Sequence, residues 1–242
     1  MHEPERRRIP EATVARLPLY FRALVETVEH KISTISSERL AELADVNAAK
    51  VRKDLSYLGS YGTRGVGYDV EYLLAQISQE LGLTERRPVI IAGVGRLGQA
   101  LANYAGFTAR GFEVVGLFDA DPAKVGHRVG PLAVEHMDGL ARAVAERGVV
   151  IAILAVPAEV AQAVADQLAA SGVKAILNFA PRVIQLPEDI TLRKVDLAIE
   201  LQILSFYEQH RGPHLSEATI EALPRADEGA EGGTLGIDEA VL

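Results

Sequence analysis

Cysteine is absent from the 242 residues, which excludes disulfides, thiolate metal sites and a cysteine nucleophile together. Long apolar runs are absent too. The longest, Val149 to Val156, is far short of a membrane span and reads as a buried parallel strand. There is no secretory pattern, because Arg6-Arg7-Arg8 leads into a polar helix and not an apolar segment. A soluble cytoplasmic protein is the expectation. Positive charge is scarce: the net charge is −8, which on the sum alone disfavours a nucleic-acid partner. The distribution reverses that inference. From Pro213 to Leu242 seven acids face Arg225 alone, a net of −6, whereas Val46 to Tyr68 carries Lys50, Arg52, Lys53 and Arg64 against Asp54, a net of +3. One small segment is basic within an acidic chain.

The organising stretch is Pro88 to Gly98, PVIIAGVGRLG. Val89 to Ala92 reads as a short buried strand. Gly93-Val94-Gly95-Arg96-Leu97-Gly98 then fits the GxGxxG dinucleotide fingerprint. Its first glycine allows a tight turn, the second lets backbone approach a pyrophosphate, and the third lets the following helix pack against the strand. The next strand, Glu113 to Phe118, ends at Asp119, 21 residues after Gly98. An acid so placed accepts from an adenosine ribose, and with no arginine immediately after it the site favours NAD(H) over NADP(H). The competing reading is a glycine turn needed only for helix–strand packing.

Ahead of this lies a different kind of segment. Residues 1–10, with Pro4, Pro10 and three arginines, read as a loose basic arm. Glu11 to about His30 carries a helical stripe of Val14, Leu17, Phe21, Leu24, Val25 and Val28, with Pro18 marking a kink or a later start. Ser36 caps a short helix with Leu40, Leu43 and Ala44 inward. A tight turn at Asp45-Val46-Asn47 leads to a second helix, with Ala48, Val51, Leu55 and Leu58 on one side. Its other side presents Lys50, Lys53, Ser56 and Tyr57, flanked by Arg52. This is helix-turn-helix organisation with a basic, hydroxylic outer face suited to phosphates and base edges. An ordinary helical bundle with a solvated face has the same inner pattern. Gly59 to Tyr68 adds four glycines and alternating strand formers, a hairpin-like wing in which Tyr61, Arg64 and Gly65 are candidate DNA contacts and Arg64 suits a narrow minor groove. A helix over Glu71–Leu83 and a charged boundary at Thr84–Pro88 close the region.

After Asp119, helices over Met137–Arg147 and Ala158–Ser171 alternate with strands at Val149–Val156 and Val173–Leu177, the pattern of a doubly wound parallel sheet. Asp121 reads as a turn or cap residue. A dehydrogenase needs a proton-transfer group beside the nicotinamide. His127 and His136 fall in the return connection, Lys174 at the start of its strand, and His210 and His214 near the C-terminus, so the sheet is expected to bind its cofactor as a signal. Asp196 to His210 is helical and apolar nearly all round, and must bury itself in something.

The run VRKDLSYLGSYGTRGVGY, then the glycine fingerprint, then FDADPAKVG resembles the Rex family of bacterial redox-sensing transcriptional repressors over about residues 11–211. The resemblance implies an α/β chain. An N-terminal winged helix-turn-helix domain (11–85) precedes a Rossmann-like doubly wound parallel sheet (86–195) and a dimer-exchanged C-terminal helix (196–211). Residues 212–242 fall outside the pattern and read as an acidic, disordered tail. It implies a homodimer that binds palindromic double-stranded operator DNA, contacts no membrane, and is released by NADH, with NAD+ as the competing ligand. It also implies that Val156-Pro157 and Asn178-Phe179-Ala180-Pro181, at two strand ends, line the nicotinamide side, and that the last helix passes between the partner's two domains, packing within its own subunit being the alternative. Arg22, Tyr104 (ending the fingerprint helix) and Asp196 are the candidate residues coupling the two sites. An NAD-dependent dehydrogenase or reductase, and a CoA- or nucleotide-binding structural subunit, are the alternatives. Neither explains the basic helix and the wing.

Overall fold

The computed structural model describes residues 9–59, 62–63 and 65–210. Most of the expected basic arm, Ser60, Tyr61, Arg64 and the acidic tail lie outside the described residues. The chain divides into two compact units, one ending at Val195 and the other starting at Asp196.

The first unit begins with α1 (Glu11–Val14) and α2 (Leu17–Glu29), where one helix was expected. The break falls at Ala15–Arg16, and Pro18 sits in the first turn of α2, where its missing N–H removes no helical bond. Leu17 and Leu24 of the expected stripe are buried and Phe21 and Val28 pack against them, but Val14 is 44% exposed, and Tyr20, Ala23 and Thr27 are buried as well. Partners for two hydroxyls permit this. Thr27 Oγ1 donates to the Ala23 carbonyl at 2.7 Å and Tyr20 O–H to Asp54 at 2.7 Å.

Next come β1 (Thr34–Ile35), α3 (Ser37–Ala44) and α4 (Ala48–Tyr57). Ser36 caps α3 by accepting from the Arg39 N–H at 3.1 Å, and Asn47 caps α4 by accepting from the Ala49 N–H at 2.7 Å. The turn between them passes through Asp45 at φ 53°, left-handed backbone that Asp tolerates. The helix-turn-helix is therefore fixed by two side-chain caps. β2 (Tyr68–Asp69) pairs antiparallel with β1, and a Thr63–Gly67 bridge forms the base of the wing. α5 (Val70–Glu80), capped by Asp69, ends three residues earlier than expected. Leu17, Leu24, Leu40, Leu55, Leu73 and Ile77 form one core across these helices.

The rest of the unit is a seven-stranded sheet: β3 (Arg87–Ala92), β4 (Phe112–Asp119), β5 (Arg128–Val129), β6 (Leu132–His136), β7 (Ile151–Leu154), β8 (Ala175–Asn178) and β9 (Thr191–Lys194). Between strands lie α6 (Arg96–Ala102), α7 (Ala105–Thr108), α8 (Leu140–Glu146) and α9 (Ala161–Ala170). The spatial order is β5-β6-β4-β3-β7-β8-β9, parallel throughout except for β5, which hairpins onto β6. The order reverses between β3 and β7, the topological switch point where such sheets bind ligands. Separate buried clusters cover the two faces, one around Ile90, Phe118 and Leu154, the other around Ile91, Leu117 and Ile153. The β3–β4 register slips so that Val115 has no partner on β3. Arg147 compensates, donating to the Val115 carbonyl at 2.8 Å while its fork holds Glu135 at 2.7 and 2.9 Å.

Two positions differ from expectation. The fingerprint helix α6 stops at Ala102, so Tyr104 does not end it and instead is the N-cap residue of α7. His136 is not in a connection: it is the last residue of β6, in register with Asp119.

The second unit is described through α10 (Leu197–Gln209), where Asp196 Oδ1 accepts from the Ala198 N–H at 3.2 Å. Leu197, Leu201, Leu204, Phe206 and Tyr207 are all more than half exposed. Among the described residues no helix is long and apolar enough to cross a membrane.

Candidate nucleotide and DNA sites

The turn after β3 can be tested glycine by glycine. Gly93 has φ 98°, and a Cβ there would lie 2.5 Å from the Ala155 carbonyl oxygen and 2.6 Å from Val156 Cγ1, so the turn is wedged against the end of β7. A Cβ on Gly98 would overlap the Gly93 carbonyl oxygen, so close helix–strand packing requires that glycine. Gly95 differs: a Cβ would meet nothing within 4 Å. The fold needs Gly93 and Gly98, whereas Gly95 leaves open space beside backbone, as an approaching pyrophosphate requires. Val94 is buried, and Arg96 and Leu97 are exposed on the rim beside it.

Asp119 ends β4 with 9% of its surface exposed. Its Oδ2 accepts from the Val94 N–H and from Lys124 Nζ, both at 2.8 Å, and its Oδ1 accepts from the Asp121 N–H at 3.0 Å. Burial alone would raise its pKa. The Lys124 bond and the two backbone bonds outweigh burial and hold it below the usual carboxylate range. The acid thus ties the fingerprint turn to the strand end, and Lys124 is a partner that the spacing argument missed.

Beyond β7, Val156 is half-buried and Pro157 exposed; beyond β8, Phe179 is half-buried and Pro181 exposed. Asn178 and Ala180 are buried. Asn178 Oδ1 accepts from the Ala180 N–H at 2.8 Å and its Nδ2 donates to the Arg182 carbonyl at 3.2 Å. The Asn178 side chain therefore shapes this loop. His136 accepts from the Asp138 N–H at 3.3 Å. It stands beside Asp119 on the ribose side, across the switch point from the loops after β7 and β8. Open space at Gly95, an acid at the second strand's end and apolar loops across the switch point fit a dinucleotide.

On α4 the basic face is real but uneven. Lys50 and Lys53 are exposed and have no ion-pair partner among the described residues. Arg52 Nη1 donates to Ser37 Oγ and Glu38 Oε1, both at 2.8 Å, which secures the arginine to the start of α3. Ser56 Oγ donates to the Lys53 carbonyl at 2.7 Å, so its hydroxyl must turn to meet a phosphate oxygen. Tyr57 is half-buried and Gly65 exposed. Tyr61 and Arg64 lie outside the described residues.

The inner face of α4 holds a group that the sequence reading counted only as a charge. Asp54 is 1% exposed and accepts four bonds: from Thr13 Oγ1 (2.9 Å), Arg16 Nε (2.6 Å), Arg16 Nη2 (2.8 Å) and Tyr20 O–H (2.7 Å). Burial would raise its pKa, but the Arg16, Tyr20 and Thr13 bonds prevail and lower it. The same cluster raises the pKa of Tyr20, through burial first and the Asp54 bond second. Asp54 fixes α4 to α1 and α2.

Fold and sites together define a class: a DNA-binding regulator in which a winged helix-turn-helix is joined to a dinucleotide-type sheet. Comparisons with known proteins divide the chain in the same way. A family described as putative DNA-binding protein N-terminus matches residues 8–56, and one described as CoA binding domain matches residues 84–182. The chain is 58% identical over 225 residues to the redox-sensing transcriptional repressor Rex of Streptomyces griseus, covering 92% of this chain and 89% of the relative. Two crystal structures of RSP, a Rex-family repressor, are similar to it. The complex with NAD+ and operator DNA has TM-score 0.78, 36% identity and coverage of 83% and 93%. The complex with NADH has TM-score 0.74, 35% identity and coverage of 84% and 95%. The chain belongs to the Rex family of redox-sensing transcriptional repressors.

Proposed function

We propose that this chain, as a homodimer, represses transcription from palindromic operator DNA and leaves it when NADH binds, so that gene expression follows the NADH/NAD+ ratio in the cytoplasm. One observation carries this reading. A helix-turn-helix with exposed Lys50 and Lys53 is joined, in one chain, to a parallel sheet whose switch point is open at Gly95. Similarity to a repressor crystallised with both operator DNA and a nicotinamide dinucleotide supports it.

In this reading residues 11–85 are the DNA-binding domain, 86–195 the nucleotide domain and 196–211 the dimerisation helix. Lys50, Lys53 and Arg64 meet phosphates and the minor groove, while Arg52, held by Ser37 and Glu38, presents its remaining N–H groups to a base edge or phosphate. Ser56, Tyr57, Tyr61 and Gly65 pack along the backbone. On the sheet, Gly93 to Gly98 cradle the pyrophosphate and Asp119 takes the adenosine ribose. Val156, Pro157 and the Asn178–Pro181 loop enclose the nicotinamide. The nicotinamide supplies a redox-dependent charge, cationic when oxidised and neutral when reduced. An apolar wall of Val156, Phe179 and the prolines favours the neutral ring, because an unpaired buried charge is costly.

The exposed apolar surface of α10 supports burial in a second copy. The first unit offers an apolar groove of about 500 Å³ for it, lined by Pro18, Phe21, Val25, Leu83 and Phe112 with Arg22 at its edge. Arg22 and Tyr104, exposed on the first unit, and Asp196 at the start of α10 would carry the coupling by a contact made in one dimer state only. NADH must favour the state that misplaces the two recognition helices, or it shifts nothing.

A dehydrogenase would require a proton-transfer group facing the nicotinamide. His136 does end a strand, but on the opposite side of the switch point. The adenosine of CoA carries a 3′-phosphate, which would meet the Asp119 carboxylate. The test is a mobility shift with the chain's own promoter DNA at fixed salt. Release by NADH at concentrations where NAD+ leaves the complex intact is expected; a shift indifferent to both would remove the redox reading.

A further inference from the structure

The ribose corner is not a lone acid. A carboxylate offers about four acceptor positions, and Asp119 has three filled, by Val94 N–H, Asp121 N–H and Lys124 Nζ. The open position is on Oδ1, enough for one hydroxyl of a ribose diol. Lys124 Nζ donates to Asp119 and to no other partner among the described residues. The ammonium has three N–H groups, so two remain, and its side chain is 38% exposed. It reaches the site on a flexible stem from the turn after β4, held there by Asp119. The corner therefore pairs one negative and one positive charge.

We infer that Lys124 is a specificity-determining residue of the nucleotide site. While Asp119 is ionised, it occupies Lys124, the corner takes a free ribose diol, and the second ribose oxygen accepts from the ammonium. When Asp119 is neutralised, the same ammonium is released to meet a 2′-phosphate. Selection of NADH over NADPH then rests on the Asp119–Lys124 pair, beyond the carboxylate's own repulsion. The inference depends on the dinucleotide reading above.

The test is a double-mutant cycle of Asp119→Asn, Lys124→Met and both together in the full chain. Nucleotide affinity is read from NADH and NADPH fluorescence, and folding from thermal unfolding. Asn keeps an oxygen for the Val94 N–H. Expected for D119N is at least a tenfold rise in NADPH affinity relative to NADH, lost to within twofold when Lys124→Met is added. An unchanged ratio in D119N, or the same gain with and without Lys124, would overturn the inference. Should D119N fail to fold, K124M alone decides: NADH loses the ammonium's bond to its second ribose oxygen, so its Kd rises at least threefold with the unfolding midpoint unchanged, and an unchanged NADH Kd overturns the proposal. Wild-type protein that binds neither nucleotide would remove the dinucleotide reading itself and this inference with it.

Discussion

Among the described residues the two domains each bury one aspartate, and the two are finished differently. Asp54, in the winged helix, accepts four bonds from protein side chains and has no acceptor position left. Asp119, at the rim of the sheet, accepts three and keeps one. Both are held ionised by their partners against the pull of burial. A saturated buried carboxylate is part of the scaffold, whereas Asp119, left one bond short, is the acid proposed for the ribose. Burial and pKa direction are alike in the two, so the count of bonds is what distinguishes them.

The largest way to break the comparison is at Asp54. Asp54→Ala leaves the Arg16 guanidinium and two hydroxyls without their acceptor, at a cost of about 3 kcal/mol or more. Chemical denaturation should show this loss and mobility shifts should show DNA binding abolished, with NADH fluorescence still reporting an intact sheet domain. The pH dependence follows with its sign. A folded pKa held below the unfolded value contributes stability that is complete above about pH 4 and is lost as pH falls through the lowered folded value. Asp54→Asn should flatten that acid limb, measured as unfolding free energy against pH.

The next contrast lies between two glycines of one motif. Gly98→Ala forces a methyl into the Gly93 carbonyl, an overpacking worth about 1–3 kcal/mol, so both unfolding midpoint and NADH affinity should drop. Gly95→Ala enters open space. Its unfolding midpoint should match wild type while NADH affinity falls tenfold or more. Equal NADH affinity in G95A would mean that the dinucleotide does not pass there.

The smallest effects belong to α4. Lys50→Ala and Lys53→Ala should each reduce the slope of log affinity against log salt by about 1, uniformly across DNA sequences, with stability unchanged within about 0.5 kcal/mol.

What the sequence made legible was local. Ser36 and Asn47 cap their helices from adjacent positions, and Asp119 follows Gly98 at the spacing that a crossover dictates. What it hid depends on distance. Asp54 meets partners 34 to 41 residues away, so it registered only as one negative charge among basic neighbours. The α2 stripe is wider than its apolar residues show, because Tyr20 and Thr27 bury hydroxyls whose partners periodicity does not reveal. β9 escaped because Thr191–Lys194 is an edge strand with only Leu192 apolar. Lys124 was not legible because the residue after Asp119 is not basic, while the turn brings a cation back to it from five residues on.

The central claim is that one chain links the two sites, and reciprocity tests it most directly. The Kd of NADH is measured by fluorescence with the protein free and with it saturated by operator DNA. Operator binding is then measured with and without saturating NADH under the same salt. Linkage requires the two factors to be equal, and the account predicts that each ligand weakens the other by the same amount, tenfold or more. An NADH affinity unmoved by operator DNA would contradict it, leaving a DNA-binding domain and a nucleotide site that share a chain without communicating.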